Sequence, residues 1–287
     1  MKQMINIKEC RKTEFQKTAV IACQGVKGAY SQIAANTMFE SPDIMYMRTF
    51  DGVFRAVDTG LCRYGMLPIE NSNAGSVTDV YDLMKAYNFY IVRSIKLPVS
   101  HLLLAKEKIS AENIKEVYTH EQAAKQCSKF LEQNSGIKVN ICANTAAAAQ
   151  FVAEDSRTDI AAIASENCIE LYNLTALVKN VQNNENNYTR FICISKECEI
   201  YDNSDKISLM LTLEHKAGAL YEVIKQFAEH GLNLTKLESR PIAGTDFEFM
   251  FYFDIQANIE DMDVYNLLLE LQESTHDLIF LGNYREI

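Results

Sequence analysis

The sequence predicts an α/β protein in two parts, and three observations carry that reading. From residue 19 onward, short apolar runs alternate with glycine- or asparagine-rich loops and helical patterns, as expected where strands feed helices. Beyond residue 206 the order becomes strand, helix, strand, strand, helix, strand, a small ferredoxin-like arrangement. At 287 residues the chain also exceeds one compact core of the usual size, so more than one domain is expected.

The elements follow in order. Residues 20–23 read as a strand, then the loop Gly25-Val26-Lys27-Gly28, then a helix from about Tyr30. Residues 64–69 form the next apolar run; Asn71-Ser72-Asn73-Ala74-Gly75 and a helix over 77–87 follow. Val117-Tyr118 precede Thr119-His120-Glu121-Gln122, which fits a capping box with Thr119 as N-cap and Gln122 at the third position. Residues 140–142 lead into Asn144-Thr145 and an alanine-rich helix, 146–154, and residues 160–164 lead into a helix over 166–171. The polar stretch 195–206 reads as a linker. After it come a strand at 207–213, a helix at 218–230 stopped by Gly231, strands at 232–240 and 247–255, a helix at 261–273 and a strand at 278–281.

Composition narrows the function. A net charge of -10 argues against a nucleic-acid partner and gives no polybasic patch for a membrane. Residues 1–17 are polar and mixed in charge, with no signal-peptide core, and no apolar run spans a bilayer. The eight cysteines form no C-x-x-C pair; most sit in apolar runs, where Cys acts as a small hydrophobe. Reduced thiols in a cytoplasm are therefore expected. The five histidines are scattered and H-E-x-x-H is missing, so no metal site is expected.

Two segments set polar groups against apolar strands: Pro68-Ile69-Glu70-Asn71-Ser72 and Asn186-Asn187-Tyr188-Thr189-Arg190-Phe191. An unpaired buried polar group costs about 1–3 kcal/mol, so such groups need partners. A ligand is one; turn chemistry is the other. In α/β sheets ligands sit beyond the carboxyl ends of the strands, where helix N-termini offer free N–H groups to carboxylates. Thr145, at one such start, is a candidate substrate-binding residue.

These segments, with Gly25-Val26-Lys27-Gly28-Ala29-Tyr30-Ser31, resemble prephenate dehydratase over residues 19–197. Gly218-Ala219-Leu220 and Glu238-Ser239-Arg240-Pro241 resemble the ACT regulatory domain of that family over 207–285. The resemblance implies a two-lobed, periplasmic-binding-protein-like catalytic domain at 19–198, with one lobe at about 19–98 and 180–197 and the other at about 99–179. It implies a ferredoxin-like ACT domain at 207–287 and an N-terminal arm at 1–18, too short for the chorismate mutase domain fused in some relatives. Three departures stand out: Val26 and Ala217 where the family has Pro, and Thr119-His120-Glu121 where it has Ser-His-Pro.

The implied reaction removes carbon dioxide and the ring hydroxyl of prephenate together, giving phenylpyruvate on the route to phenylalanine. Aromatisation drives it, so no cofactor is expected. Thr189 is the implied catalytic residue; Asn71 and Ser72 resemble substrate-loop residues, and Arg190 and Phe191 flank the threonine. A threonine hydroxyl is too weak an acid for efficient proton transfer, so its expected work is a positioned hydrogen bond to the departing oxygen. Arg190 has two readings, a substrate contact or a structural ion pair, because neighbouring strand residues face opposite sides. Gly218, Ala219, Leu220, Glu238, Ser239, Arg240 and Pro241 are the implied L-phenylalanine pocket, completed in a homodimer or homotetramer through the ACT domain. Two alternatives remain open: an arogenate dehydratase, and a non-catalytic amino-acid-binding sensor.

Overall fold

The computed structural model describes residues 7–184, 186–242, 249–275 and 277–287. They divide into two compact units. One comprises Lys17–Val80 and Lys96–Phe191; the other comprises Tyr81–Ile95 and Ile192–Ile287 with the described part of Met1–Gln16. Among the described residues no helix is long and apolar enough to cross a membrane.

The first unit holds two sheets. In one, the strands Asp43–Met47, Val20–Gln24 and Tyr64–Asn71 run parallel in that order, with the start of Tyr188–Ser195 beside Tyr64–Asn71. Parallel strands are covered on both faces, which is why Ile21, Ala22 and Cys23 are apolar in succession and all buried. Thr49 opens the adjoining helix Phe50–Asp58 by accepting from Gly52 N at 3.0 Å, an N-cap bond.

The other sheet runs Thr175–Val178, Leu102–Ala105, Ile160–Ala164, Glu116–Thr119, Lys138–Ile141. Its central strand Ile160–Ala164 is buried at every residue. The helix Thr145–Glu154 lies on it through Ala146, Ala148, Ala149 and Val152, small side chains that let helix and sheet backbones approach closely. The chain passes between these sheets twice, and the two passages are tied together. Val99 N donates to Asn187 O at 2.7 Å, and Val181 N donates to His101 O at 3.0 Å.

In the second unit the strands lie in the order Asn233–Pro241, Phe249–Gln256, Lys206–Thr212, Asp277–Glu286. The helices Ala219–Glu229 and Met262–Ser274 complete the strand-helix-strand-strand-helix-strand order, as the sequence predicts. Leu209, Leu211, Phe227, Phe253, Leu267 and Leu271 form its core. Residues 81–95, expected in the first catalytic lobe, cluster here because Asp277–Glu286 pairs parallel with Tyr90–Pro98 through Arg285↔Arg93 and Glu286↔Ser94.

Two local expectations are corrected. The stretch 195–206 is not a loose linker: Ile200–Tyr201 pairs parallel with Arg11–Lys12, and Glu199, Ile200 and Ser204 are buried. Thr119 is not the cap of the helix Glu121–Gln126. It ends a strand and donates to Ile163 O at 2.9 Å, while His120 caps, its Nδ1 accepting from Gln122 N at 3.3 Å.

Candidate active site

Asn71 ends the strand Tyr64–Asn71 and is buried. Its Oδ1 accepts from Asn73 N and Ala74 N, both at 3.0 Å, a side-chain turn that fixes which way the amide points. The amide nitrogen therefore faces Asn187 Oδ1 at 2.8 Å, Thr189 Oγ1 at 2.9 Å and Tyr188 O at 3.1 Å. An amide nitrogen only donates, so Thr189 Oγ1 accepts. Its own O–H proton is then free to be offered elsewhere.

Elsewhere is a cavity of about 590 Å³ that Thr189 lines, a size common for small-molecule sites. Phe50, Pro68 and Phe191 form apolar wall, and Asn71, His101, His120, Gln126 and Thr145 add polar groups. Two helices start at its edge, Thr78–Tyr87 and Thr145–Glu154. Asn144 caps the second through Ala147 N at 2.8 Å. Among the described residues lining the cavity none is Lys or Arg, and one, Asp79, is a carboxylate. Anion recognition here falls to helix starts, amides and hydroxyls.

A second amide extends the array. Gln126 Oε1 accepts from Asn187 Nδ2 at 3.2 Å and lies 3.0 Å from His101 Nε2. An oxygen facing that nitrogen assigns the proton to Nε2 and leaves Nδ1, buried without a hydrogen-bond partner, as the unprotonated nitrogen. Burial pushes the His101 pKa below the ordinary histidine value against the opposing effect of the Gln126 bond. Burial lowers that of His120 as well.

The structure brings together Asn71, Thr145, Thr189 and Phe191 of the expected substrate site. It leaves two out. Arg190 is buried and turned from the cavity, its guanidinium 3.5 Å from Glu70 Oε2; alternation along the strand puts it opposite Thr189 and Phe191. This is the ion-pair reading. Ser72 is exposed and joins two loops, accepting from Tyr188 N at 3.0 Å and donating to Asn186 O at 3.4 Å. Gln126 and the linking role of Asn187 are not evident from sequence. Gln126 lies 61 positions from Asn187 and 25 from His101, so no local pattern marks it.

The expected effector residues lie in the other unit, and only part of them line a cavity. A space of about 150 Å³ is bounded by Ala219, Leu220, His215, Lys216, Phe249 and Phe251 among others. Gly218 precedes the helix with φ +87°, a conformation open to glycine. Ser239 and Pro241 pair across the strands with Phe251 and Phe249. Glu238 pairs with Lys236 at 3.3 Å, and Arg240 reaches Asp82 at 2.7 Å.

A fold of this kind is seen in solved structures. The prephenate dehydratase of Arthrobacter aurescens, solved in complex with L-Phe, superposes with a TM-score of 0.82 at 26% identity, over 92% of this chain and 89% of that one. GqqA, described as a novel type of quorum quenching acylase, gives 0.84 at 29% identity over 93% and 98%. Among sequences, the bifunctional chorismate mutase/prephenate dehydratase of Escherichia coli K12 is 37% identical over 273 residues, 93% of this chain and 71% of that protein. The chloroplastic arogenate dehydratase/prephenate dehydratase 2 of Arabidopsis thaliana is 35% identical over 275 residues, 92% and 72%. A family model described as prephenate dehydratase matches residues 21–199. The chain belongs to the prephenate dehydratase family.

Proposed function

We propose that this protein converts prephenate to phenylpyruvate, carbon dioxide and water, and that L-phenylalanine inhibits it. The observation that carries the reading is the hydrogen bond from Asn71 to Thr189 Oγ1, which leaves the Thr189 proton for the cavity. Donation from that hydroxyl to the ring hydroxyl of prephenate stabilises negative charge as the carbon–oxygen bond breaks. The ring carboxylate departs as carbon dioxide, its bonding electrons complete the aromatic ring, and the departing hydroxide takes up a proton from solvent to leave as water. The Asn71 amide strengthens the hydroxyl as a donor by drawing on its lone pair. The starts of Thr78–Tyr87 and Thr145–Glu154 are suited to the two carboxylates, and Phe50 and Phe191 to the ring. Closure of the two lobes about the paired passages near residues 98 and 180 would exclude water.

In the same reading residues 207–287 are an ACT regulatory domain, and L-phenylalanine occupies the cavity beside Ala219 and Leu220. The L-Phe complex of the Arthrobacter relative supports an effector of this kind. A homodimer or homotetramer through this domain belongs to the proposal. Arogenate, the amino acid corresponding to prephenate, is the alternative substrate, supported by the name of the Arabidopsis relative. Purified protein given prephenate and arogenate separately decides the matter. Higher kcat/KM on prephenate, with phenylpyruvate as product, is the expected result. Preference for arogenate reverses the assignment, and binding of either without turnover makes the protein a sensor.

A further inference from the structure

Two of the eight cysteines lie together in the second unit, outside both cavities. Cys10 immediately precedes the short strand Arg11–Lys12, and Cys198 lies two residues before Ile200–Tyr201. The strands pair in parallel, Arg11 level with Ile200 and Lys12 with Tyr201, so the cysteines enter the pairing from the same end and one step apart. Both side chains pack against the same apolar core and are partly exposed. The two side chains are close enough to act on each other's ionisation.

The segment around Cys10 is held in place by more than its strand pairing. Arg11 reaches Glu260 at 3.2 Å and Asp202 at 3.7 Å. Phe15 packs edge-on against Tyr201 with centroids 5.2 Å apart, and the Arg93 guanidinium lies 3.8 Å from the centre of the Phe15 ring. Paired strands lie about 4.8 Å apart and rise about 3.3 Å per residue, so positions flanking one end of this pair one step apart fall near the Cα separation a disulfide needs. The remaining cysteines differ. Cys23, Cys62, Cys127, Cys168 and Cys193 are buried; Cys142 is partly exposed but its thiol is pushed up by burial, and burial pushes the Cys23 and Cys127 thiols up to about 12, where the reactive thiolate is scarce.

We propose that Cys10 and Cys198 are a peroxide-sensitive pair that closes to a reversible disulfide, clamping the segment around Arg11–Lys12 to the stretch around Ile200–Tyr201. The neighbouring Cys198 side chain favours the Cys10 thiolate and holds its pKa below the ordinary thiol value, which makes Cys10 the attacking sulfur. Its sulfur displaces hydroxide from hydrogen peroxide, giving a sulfenic acid; the hydroxide takes the thiol proton and leaves as water. The Cys198 sulfur then attacks the Cys10 sulfur, the S–O bond breaks, and a second water departs with the Cys198 proton. Two thiols lose two electrons in all, and one peroxide becomes two waters. A dithiol reverses the change by exchange.

The test uses the reduced full-length protein, treated with equimolar hydrogen peroxide, then alkylated, denatured and digested without reductant. A peptide joining Cys10 to Cys198, lighter than its two parts by two hydrogens and lost on dithiothreitol treatment, is the expected product. In Cys10→Ser and Cys198→Ser proteins that peptide is missing. Because the readout is on wild-type protein, a variant that folds poorly leaves it intact. Both cysteines fully alkylated after peroxide, either one joined to a different cysteine, or a linkage only between two chains would each overturn the proposal.

Discussion

At the residue scale the site turns on which atom of Asn71 faces Thr189. Two backbone donors occupy Asn71 Oδ1, so its nitrogen must face the threonine and the threonine proton must point away. Thr189→Ala removes that proton and should lower kcat at least about 100-fold with an unchanged circular-dichroism spectrum. Thr189→Ser keeps the hydroxyl and should retain much of the activity. Equal turnover of the Ala variant and wild type would take Thr189 out of the chemistry. His101 makes a separate, pH-dependent claim. Its pKa in the folded protein is depressed by burial, so between the folded and unfolded values the unfolded chain binds more protons. Its contribution to stability is therefore full above the unfolded value, about 6.5, and is lost as pH falls through the folded value. His120 shifts in the same direction. Denaturation at pH 7.5, 6.5 and 5.5 should show stability falling with acid, and less steeply in His101→Gln. An identical slope in that variant would mean His101 carries none of it.

At the scale of elements, what the sequence reveals depends on how local the cause is. The buried strand Ile160–Ala164 reads directly from five apolar residues in a row, since burial on both faces leaves no polar position. The helix cap misleads by one residue, because Thr119 and His120 both precede the helix. Thr119 is spent on a bond to the neighbouring strand that no local pattern announces. Gly282 is the sharper case. Its φ is +146°, and a Cβ there would lie 2.2 Å from the carbonyl oxygen of Ile91, a backbone atom that cannot turn aside. Gly282→Ala should therefore break the close approach of Asp277–Glu286 to the residues around Ile91, costing about 2 kcal/mol or more. Urea titration of the variant measures it; a midpoint equal to wild type would show that the backbone gives way at no cost. The glycine is visible in the sequence, but its reason lies some 190 positions away and is visible only in the fold.

At the scale of the whole molecule, the same long-range pairing decides how regulation can be tested. The alternation of elements reveals two kinds of architecture in the chain, yet nothing near residues 81–95 says that they share a unit with Ile192–Ile287. They do so through the pairing of Arg93 with Arg285, the bond from Tyr252 Oη to Tyr81 O at 3.3 Å, and the pair of Asp82 with Arg240. Cutting the chain near residue 200 would strip Tyr90–Pro98 of a strand partner and expose apolar surface, so lost inhibition in such a fragment would not locate the effector. A point change does. Ala219 borders the small cavity of about 150 Å³, and Ala219→Leu fills part of it while leaving the strands and helices their partners. L-phenylalanine inhibits only if it favours a state that binds or converts substrate less well. The variant should therefore lose L-phenylalanine binding by calorimetry and lose inhibition together, with kcat and KM without effector within about twofold of wild type. If inhibition in the wild type acts on substrate binding, linkage also requires a prephenate analogue to weaken L-phenylalanine binding by the same factor. Full inhibition of Ala219→Leu would place the effector elsewhere, with the larger cavity around Thr189 as the first site to search.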